Sequence, residues 1–278
     1  MNRPGAMIRG RTDMRAPEAA VAIVHARGVS PRSAEESVLL IRRTERPNDP
    51  WSGHWSFPGG RRDPEDKDLV FTALRELAEE CGIQLGRDRL EASLPPAAAG
   101  RRVGSAITVA PFLFRVESEL PTVLDPNEAV EALWIPLSLL RDPSRHCLRR
   151  VPRLPREMAF PAIELNGVPL WGFTYRVITE WLRLHSREDS PEEAGFAAAQ
   201  MLLEFLLAQG LTLRQSWSEC DKALVAEVGG AIPVATVLER FSLAGRQIPA
   251  VNAVEIREDS IRVVGLGLEE YVIRASDH

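Results

Sequence analysis

Apolar residues along this chain come first in short runs of strand character and later at helical spacing. Ala19 to His25 and Val38 to Arg43 are β-branched and aliphatic, so each predicts a strand, with the polar stretch Arg27 to Ser37 between them. Leu39-Leu40-Ile41 is continuously apolar, as in a strand covered on both faces. Two prolines with Asn48 and Asp49 make 46–53 a loop. From Asp68 the period changes, and Val70, Leu74, Leu77 and Cys81 fall on one face of a helix. Asp68 can cap that helix, and Gly82 can end it in the left-handed conformation.

Further on, Leu90 to Leu94 predicts a short strand, Pro95 to Ser105 a loop, and Ala106 to Val116 a longer apolar strand. A polar, turn-rich stretch from Glu117 to Glu128 leads into a strand over Ala129 to Ile135. Asn166-Gly167, between Ile163-Glu164-Leu165 and Val168-Pro169-Leu170-Trp171, is a two-residue hairpin signal. Pro169 then belongs on an edge. Val177, Ile178, Trp181 and Leu182 predict a helix after it. A new unit opens at Ser190, where a cap, a proline at the first helical position and Glu193 precede the apolar face of Phe196, Leu202, Leu203 and Leu206. Ser218 to Val228 and Pro233 to Phe241 predict two more helices. Short strands are expected over Val254 to Ile256, Ile261 to Val264 and Tyr271 to Ile273. These readings divide the chain into a mobile lead-in (1–17), a main domain (18–189) and a C-terminal extension (190–278) that resembles a small winged-helix module at the level of fold alone.

With 278 residues, 45% of them apolar, the chain is large enough for a main domain and a smaller one. The start carries arginines without the apolar core of a signal peptide, and no apolar run approaches membrane length, so a cytoplasmic protein is expected. Its three cysteines are far apart and form no zinc pattern. The net charge of −5 gives no general attraction to nucleic acid or to an anionic membrane. From Glu192 onward seven lysines and arginines face thirteen acids, which points the extension toward a protein partner or a second copy rather than DNA.

Candidate chemistry concentrates between Gly59 and Ile83. On the predicted helix Glu76, Glu79 and Glu80 stand at i, i+3 and i+4, opposite the apolar face. Three carboxylates that close repel one another unless cations intervene, and oxygen-only sites select magnesium or manganese. Gly59 and Gly60 would let backbone amides come close to a substrate.

Arg75 through Ile83 match position for position the Nudix box, Arg-Glu-hydrophobic-x-Glu-Glu-x-Gly-hydrophobic. Upstream, Asp66 stands where the box has its first acidic residue after Gly60, with one extra residue before Arg75. The chain is therefore similar to Nudix hydrolases. An α+β fold is implied, an α/β/α sandwich around a mixed sheet, here with a small C-terminal extension of helices and a β-hairpin. Glu76, Glu79 and Glu80 are implied as ligands of Mg2+ or Mn2+, with Arg75 orienting the glutamates. Glu79 and Glu128 are the candidate general bases, and Glu131 is a third.

Leu39 to Arg43 followed by Gly53 to Gly60 resembles the upstream motif of Nudix enzymes that cleave coenzyme A. Arg43 matches its first arginine, whereas Ile41 replaces a threonine and Asp49 stands in the place of the second arginine. The resemblance implies hydrolysis of a nucleoside diphosphate derivative, coenzyme A or a similar compound. ADP-ribose or a dinucleotide is the alternative substrate, and a non-catalytic nucleotide sensor the alternative role. Arg141, Arg145, Arg149, Arg150, Arg153 and Arg156 form the dense basic group of the chain. Arg149 and Arg150 are expected to meet a distal phosphate of the substrate, or else to lie on a solvated connection.

Overall fold

A computed structural model describes residues 16–28, 35–47, 52–100, 106–152, 154–184, 191–220, 223–241, 251–265 and 269–276. Most of the expected lead-in, Asn48, Asp49, Arg153 and Ser190 lie outside the described residues. The main domain begins with β1 (Ala19–Ala26), β2 (Ser37–Arg43), β3 (Trp55–Ser56), β4 (Gly59–Arg61), α1 (Leu69–Cys81), β5 (Leu90–Ser93), β6 (Ala97–Ala99), β7 (Ile107–Val116) and β8 (Ala129–Pro136). Then come α2 (Leu137–Arg141), β9 (His146–Arg149), β10 (Met158–Leu165), β11 (Val168–Trp171) and α3 (Gly172–Trp181). The last part holds α4 (Pro191–Ala208), β12 (Thr212–Cys220), β13 (Ala223–Gly229), α5 (Val234–Arg240), β14 (Val251–Ile256), β15 (Ser260–Gly265) and β16 (Glu270–Ser276).

Two mixed sheets form. The first runs β3-β2-β1-β7-β5, with β4 on β1, β6 on β7 and β8 on β2. Among the described residues its one parallel pair is β1 with β7, Ala19 opposite Val109 through Ala26 opposite Val116. The second runs β11-β10-β14-β15-β16-β13-β12, with β9 on β10. Met158 and Ala159 of β10 pair with Glu255 and Val254 of β14, so this sheet takes strands from both sides of residue 190.

Strand alternation sorts the core of the first sheet into two faces. Ala20, Ala22, Val24 and Ala26 of β1 join Leu39 and Ile41 of β2 and Phe112 and Phe114 of β7 against Val70, Ala73, Leu77 and Cys81 of α1. Small side chains on β1 let the helix come close. On the opposite face Ile23, Val38, Leu40 and Leu113 pack with α3, α4 and residues of the second sheet. Leu39, Leu40 and Ile41 are accordingly all fully buried.

Several elements differ from those expected. Ser218 to Val228 is no helix but most of the β12–β13 hairpin, because Leu224, Val225, Ala226 and Val228 pair in parallel with β16. Sheet pairing there outweighs the helix preference of Ala, Leu and Glu. The C-terminal part is therefore rich in strands, rather than helices closed by a hairpin. Ala97-Ala98-Ala99, expected as loop, pairs with Ile107 to Val109. The arginine-rich connection contains β9, whose His146 is fully buried. Its Nε2–H donates to the Leu140 carbonyl at 2.9 Å, which leaves Nδ1 to accept from the Tyr175 hydroxyl at 2.9 Å. This one ring ties α2, β9 and α3 together.

Candidate active site

The acidic helix is set by its ends. Asp68 has extended backbone and its carboxylate accepts from Phe71 N–H at 2.9 Å, while Gly82 takes a φ of 67° and returns its N–H to the Ala78 carbonyl. Between these stops the three glutamates span an arc of about 100°, since Glu79 and Glu80 step to opposite sides of Glu76. That arc crosses the boundary between core and solvent. Glu80 is 3% exposed, Glu76 is half-buried, and the Glu79 side chain is 58% exposed.

Burial sets the electrostatics. It pushes the Glu80 carboxyl up to about 8, against the pull of the Gly59 amide and Arg43. Gly59 N–H donates to Glu80 Oε2 at 2.8 Å, and the Arg43 guanidinium stands 3.9 Å from Oε1. Burial also raises Glu76, partly offset by Arg75.

Arg75 sits at the centre of the remaining acids. Its Nε and Nη2 meet Asp66 at 3.0 and 3.1 Å, Nη2 meets Glu76 at 3.0 Å, and Nη1 meets Glu79 at 2.7 Å. Asp66 is nearly inaccessible and also accepts from Thr72 Oγ1 at 2.8 Å and Asp63 N–H at 3.0 Å. Hydrogen bonds from Arg75 hold its carboxyl well below the usual range, at about 2. The extra residue before Arg75 has not dislodged Asp66 from the site.

Gly59 and Gly60 form a short strand against β1, Gly60 opposite Ala20 and Gly59 opposite Val21. Gly59 has a φ of 155°, and a Cβ there would lie 2.7 Å from Val21 Cα and collide with the Ala20 carbonyl oxygen. A Cβ on Gly60 would come within 2.6 Å of the Glu76 carboxyl carbon. The glycine pair thus forms a bare floor beneath Glu76 and Glu80.

Among the described residues no three His, Cys, Asp or Glu side chains stand together as a ready-made metal cluster. Arg75 explains this, because its guanidinium occupies the space between Glu76 and Glu79 and balances both. The donor set nonetheless suits a hard divalent cation. It is made of carboxylates alone, one of them buried with an unfavourable charge, over a floor that a single methyl group would obstruct.

The structure brings Arg43, Gly59, Gly60, Arg75, Glu76, Glu79 and Glu80 together. Glu128, in the loop before β8, lies near enough for its charge to act on Glu80, and pairs with Arg46 at 2.8 Å. Glu131 instead faces Arg42 at 3.8 Å and Asn166 at 3.0 Å. Arg149 is elsewhere. Its Nε pairs with Glu164 at 3.0 Å, and its Nη1 donates to the carbonyls of Leu148 and Leu238. It lines a depression of about 260 Å3 with Ser144, Arg145, Cys147, Glu164, Glu239, Arg240 and Phe241, none of them residues of the glutamate site. Arg150 is exposed. Sequence reasoning passed over Arg46 and Thr72, whose partners are made by the fold and carry no local pattern.

The NUDIX domain model matches residues 19–154. The mitochondrial coenzyme A diphosphatase NUDT8 of Homo sapiens is 36% identical over 106 residues, covering 37% of this chain and 43% of that protein. The uncharacterized Nudix hydrolase NudL of Yersinia pestis is 32% identical over 103 residues, covering 37% of this chain and 49% of that one. The chain thus spans less than half the length of these curated relatives. A solved MutT/nudix family protein of Enterococcus faecalis is 16% identical, with a TM-score of 0.42 over 66% of this chain and 65% of that one. With the acidic helix, the glycine floor and the Asp66–Arg75 pair in place, residues 19–154 of this chain are a NUDIX domain.

Proposed function

We propose that the chain hydrolyses the phosphoanhydride bond of a nucleoside diphosphate derivative in the presence of magnesium or manganese, with coenzyme A or a similar compound as substrate. The observation that carries this reading is the buried Glu80 carboxylate, held by the Gly59 amide beside Glu76 over the Gly60 floor. Similarity to a protein named as a coenzyme A diphosphatase supports the choice of substrate.

Glu76, Glu79 and Glu80 would hold the divalent cation, which supplies charge neutralisation of the diphosphate and a more acidic bound water. Arg75, anchored by Asp66, keeps Glu76 and Glu79 in register. Arg43, 3.9 Å from Glu80, would meet the charge of the diphosphate. Glu128 takes a proton from the attacking water as its oxygen bonds to phosphorus and the bridging P–O bond breaks. With coenzyme A the products are phosphopantetheine and adenosine 3′,5′-bisphosphate.

The test is a panel of coenzyme A, dephospho-coenzyme A, ADP-ribose and a diadenosine polyphosphate, incubated with magnesium or manganese and resolved by mass spectrometry. The reading expects coenzyme A to give those two products fastest. Faster cleavage of ADP-ribose or the dinucleotide would move the assignment to that substrate, and no cleavage of any compound would contradict it.

A further inference from the structure

We propose that Arg46 is a positioning residue that, with a β-bulge at Val130, aims Glu128 at the catalytic cleft. The proposal deepens the hydrolytic reading above and rests on it.

Pairing of β2 with β8 sets Arg42 opposite Glu131, but the next residue, Arg43, is opposite Ala129. Val130 is therefore left over and is 54% exposed, although it is an aliphatic residue inside a strand. Bulges of this kind bend a strand and redirect the side chains beside them. Here the shift buries Ala129 and sets Glu128 beside Thr44, whose N–H donates to the Glu128 carbonyl at 2.9 Å. Thr44 Oγ1 also donates to the Pro126 carbonyl at 2.9 Å. On its other side the same loop is tied to α1, by Val123 N–H to the Cys81 carbonyl and Asp125 N–H to the Glu80 carbonyl. The backbone of Glu128 is thus fixed relative to the acidic helix.

Arg46 fixes the side chain. One nitrogen, Nη2, reaches both Glu128 Oε1 at 2.8 Å and the Asn127 carbonyl at 2.6 Å. Its own backbone N–H donates to the buried Ser52 hydroxyl at 2.6 Å, at the start of the segment that delivers Gly59 and Gly60. Arg46 therefore joins the Glu128 loop to Ser52. The pair is 43% and 36% exposed, and such pairs add little to stability. What the pair does is hold the Glu128 carboxylate in one position.

The experiment is a double-mutant cycle on the full chain with magnesium, using the compound of the panel that the unsubstituted protein cleaves best, with thermal unfolding measured alongside. Glu128→Gln is expected to lower kcat by about 10²-fold or more, as loss of a general base does. Arg46→Ala is expected to lower kcat on the order of tenfold to a hundredfold, the scale of a misplacement of ~1 Å, with KM within about twofold and Tm unchanged. Arg46→Lys should recover part of that loss. In the Glu128→Gln background Arg46→Ala should cost less than about twofold, because the group it orients is gone. Additive losses, a change confined to KM, or full kcat in either single variant would overturn the inference while leaving the hydrolytic reading intact. An unsubstituted protein inactive on the whole panel would overturn both.

Discussion

Asp66 grips Arg75 with both carboxylate oxygens, Oδ1 to Nε at 3.0 Å and Oδ2 to Nη2 at 3.1 Å. This fork-to-fork geometry fixes the plane of the guanidinium, and through it the carboxylates of Glu76 and Glu79 that the same group contacts.

Removing one partner from such a buried pair costs about 3 kcal/mol, so Asp66→Ala should lower stability by that order. The pH dependence follows from the direction of the Asp66 shift. Its carboxyl is held at about 2 in the folded chain against 3.8 ordinarily, so its contribution is fully present above about pH 4 and is lost as pH falls through 2. Urea unfolding at pH 6, 4 and 2 should show the unsubstituted chain losing this increment on acidification and Asp66→Asn lacking it. Identical pH profiles for the two would show that Asp66 does not bear that charge.

Gly59→Ala and Gly60→Ala should separate fold from site. A methyl at 59 meets the backbone of β1, which cannot move aside, and it also requires an unfavourable φ. That variant should fold poorly. The atoms nearest a methyl at 60 are those of the Glu76 carboxylate, the end of a side chain rather than backbone. Gly60→Ala should keep its Tm within a few degrees while losing on the order of a hundredfold in kcat. Calorimetry with steady-state kinetics checks both, and the reverse pattern would mean that the two floors have been confused.

Residues after 190 should be inseparable from the rest. Strand β14 completes the sheet of β10, and Leu202, Leu206, Val254 and Ile261 share one apolar core with Ile163 and Leu170. A chain ending at 189 should therefore be insoluble or unfolded, as judged by sedimentation and tryptophan fluorescence. Arg149→Ala, which breaks the link to Glu164 and to the Leu238 carbonyl on α5, should cost about 1 kcal/mol and leave KM unchanged. A soluble, active truncation would show that the second sheet is dispensable.

What could be read in the sequence was what neighbouring residues decide. Asp68 and Gly82 set the ends of α1 through bonds within a few residues, and Leu39 to Ile41 declared a doubly covered strand by composition alone. The spacing of Glu76, Glu79 and Glu80 was equally plain, but not their unequal burial. That depends on where the sheet and the glycine floor meet the helix, and on Arg75 filling the space between carboxylates. Arg149 looked like a phosphate ligand from its basic neighbours, yet its partners come from β10 and α5. Ser218 to Val228 reads as helix until β16 lies beside β13. Arg46 had no signal at all, because Glu128 is 82 positions away and reaches it only through the register of β2 and β8.

The most direct test of the central claim, that the carboxylates of α1 perform a metal-dependent hydrolysis, is the turnover of Glu79→Gln and Glu80→Gln beside the unsubstituted chain, with magnesium and after EDTA. Both substitutions keep shape and remove charge. The account predicts losses of about 10³-fold or more in kcat for at least one of them, near-native unfolding curves for Glu79→Gln, and no turnover of the unsubstituted chain in EDTA until metal is restored. Full activity in EDTA, or unchanged turnover in both variants, would contradict it.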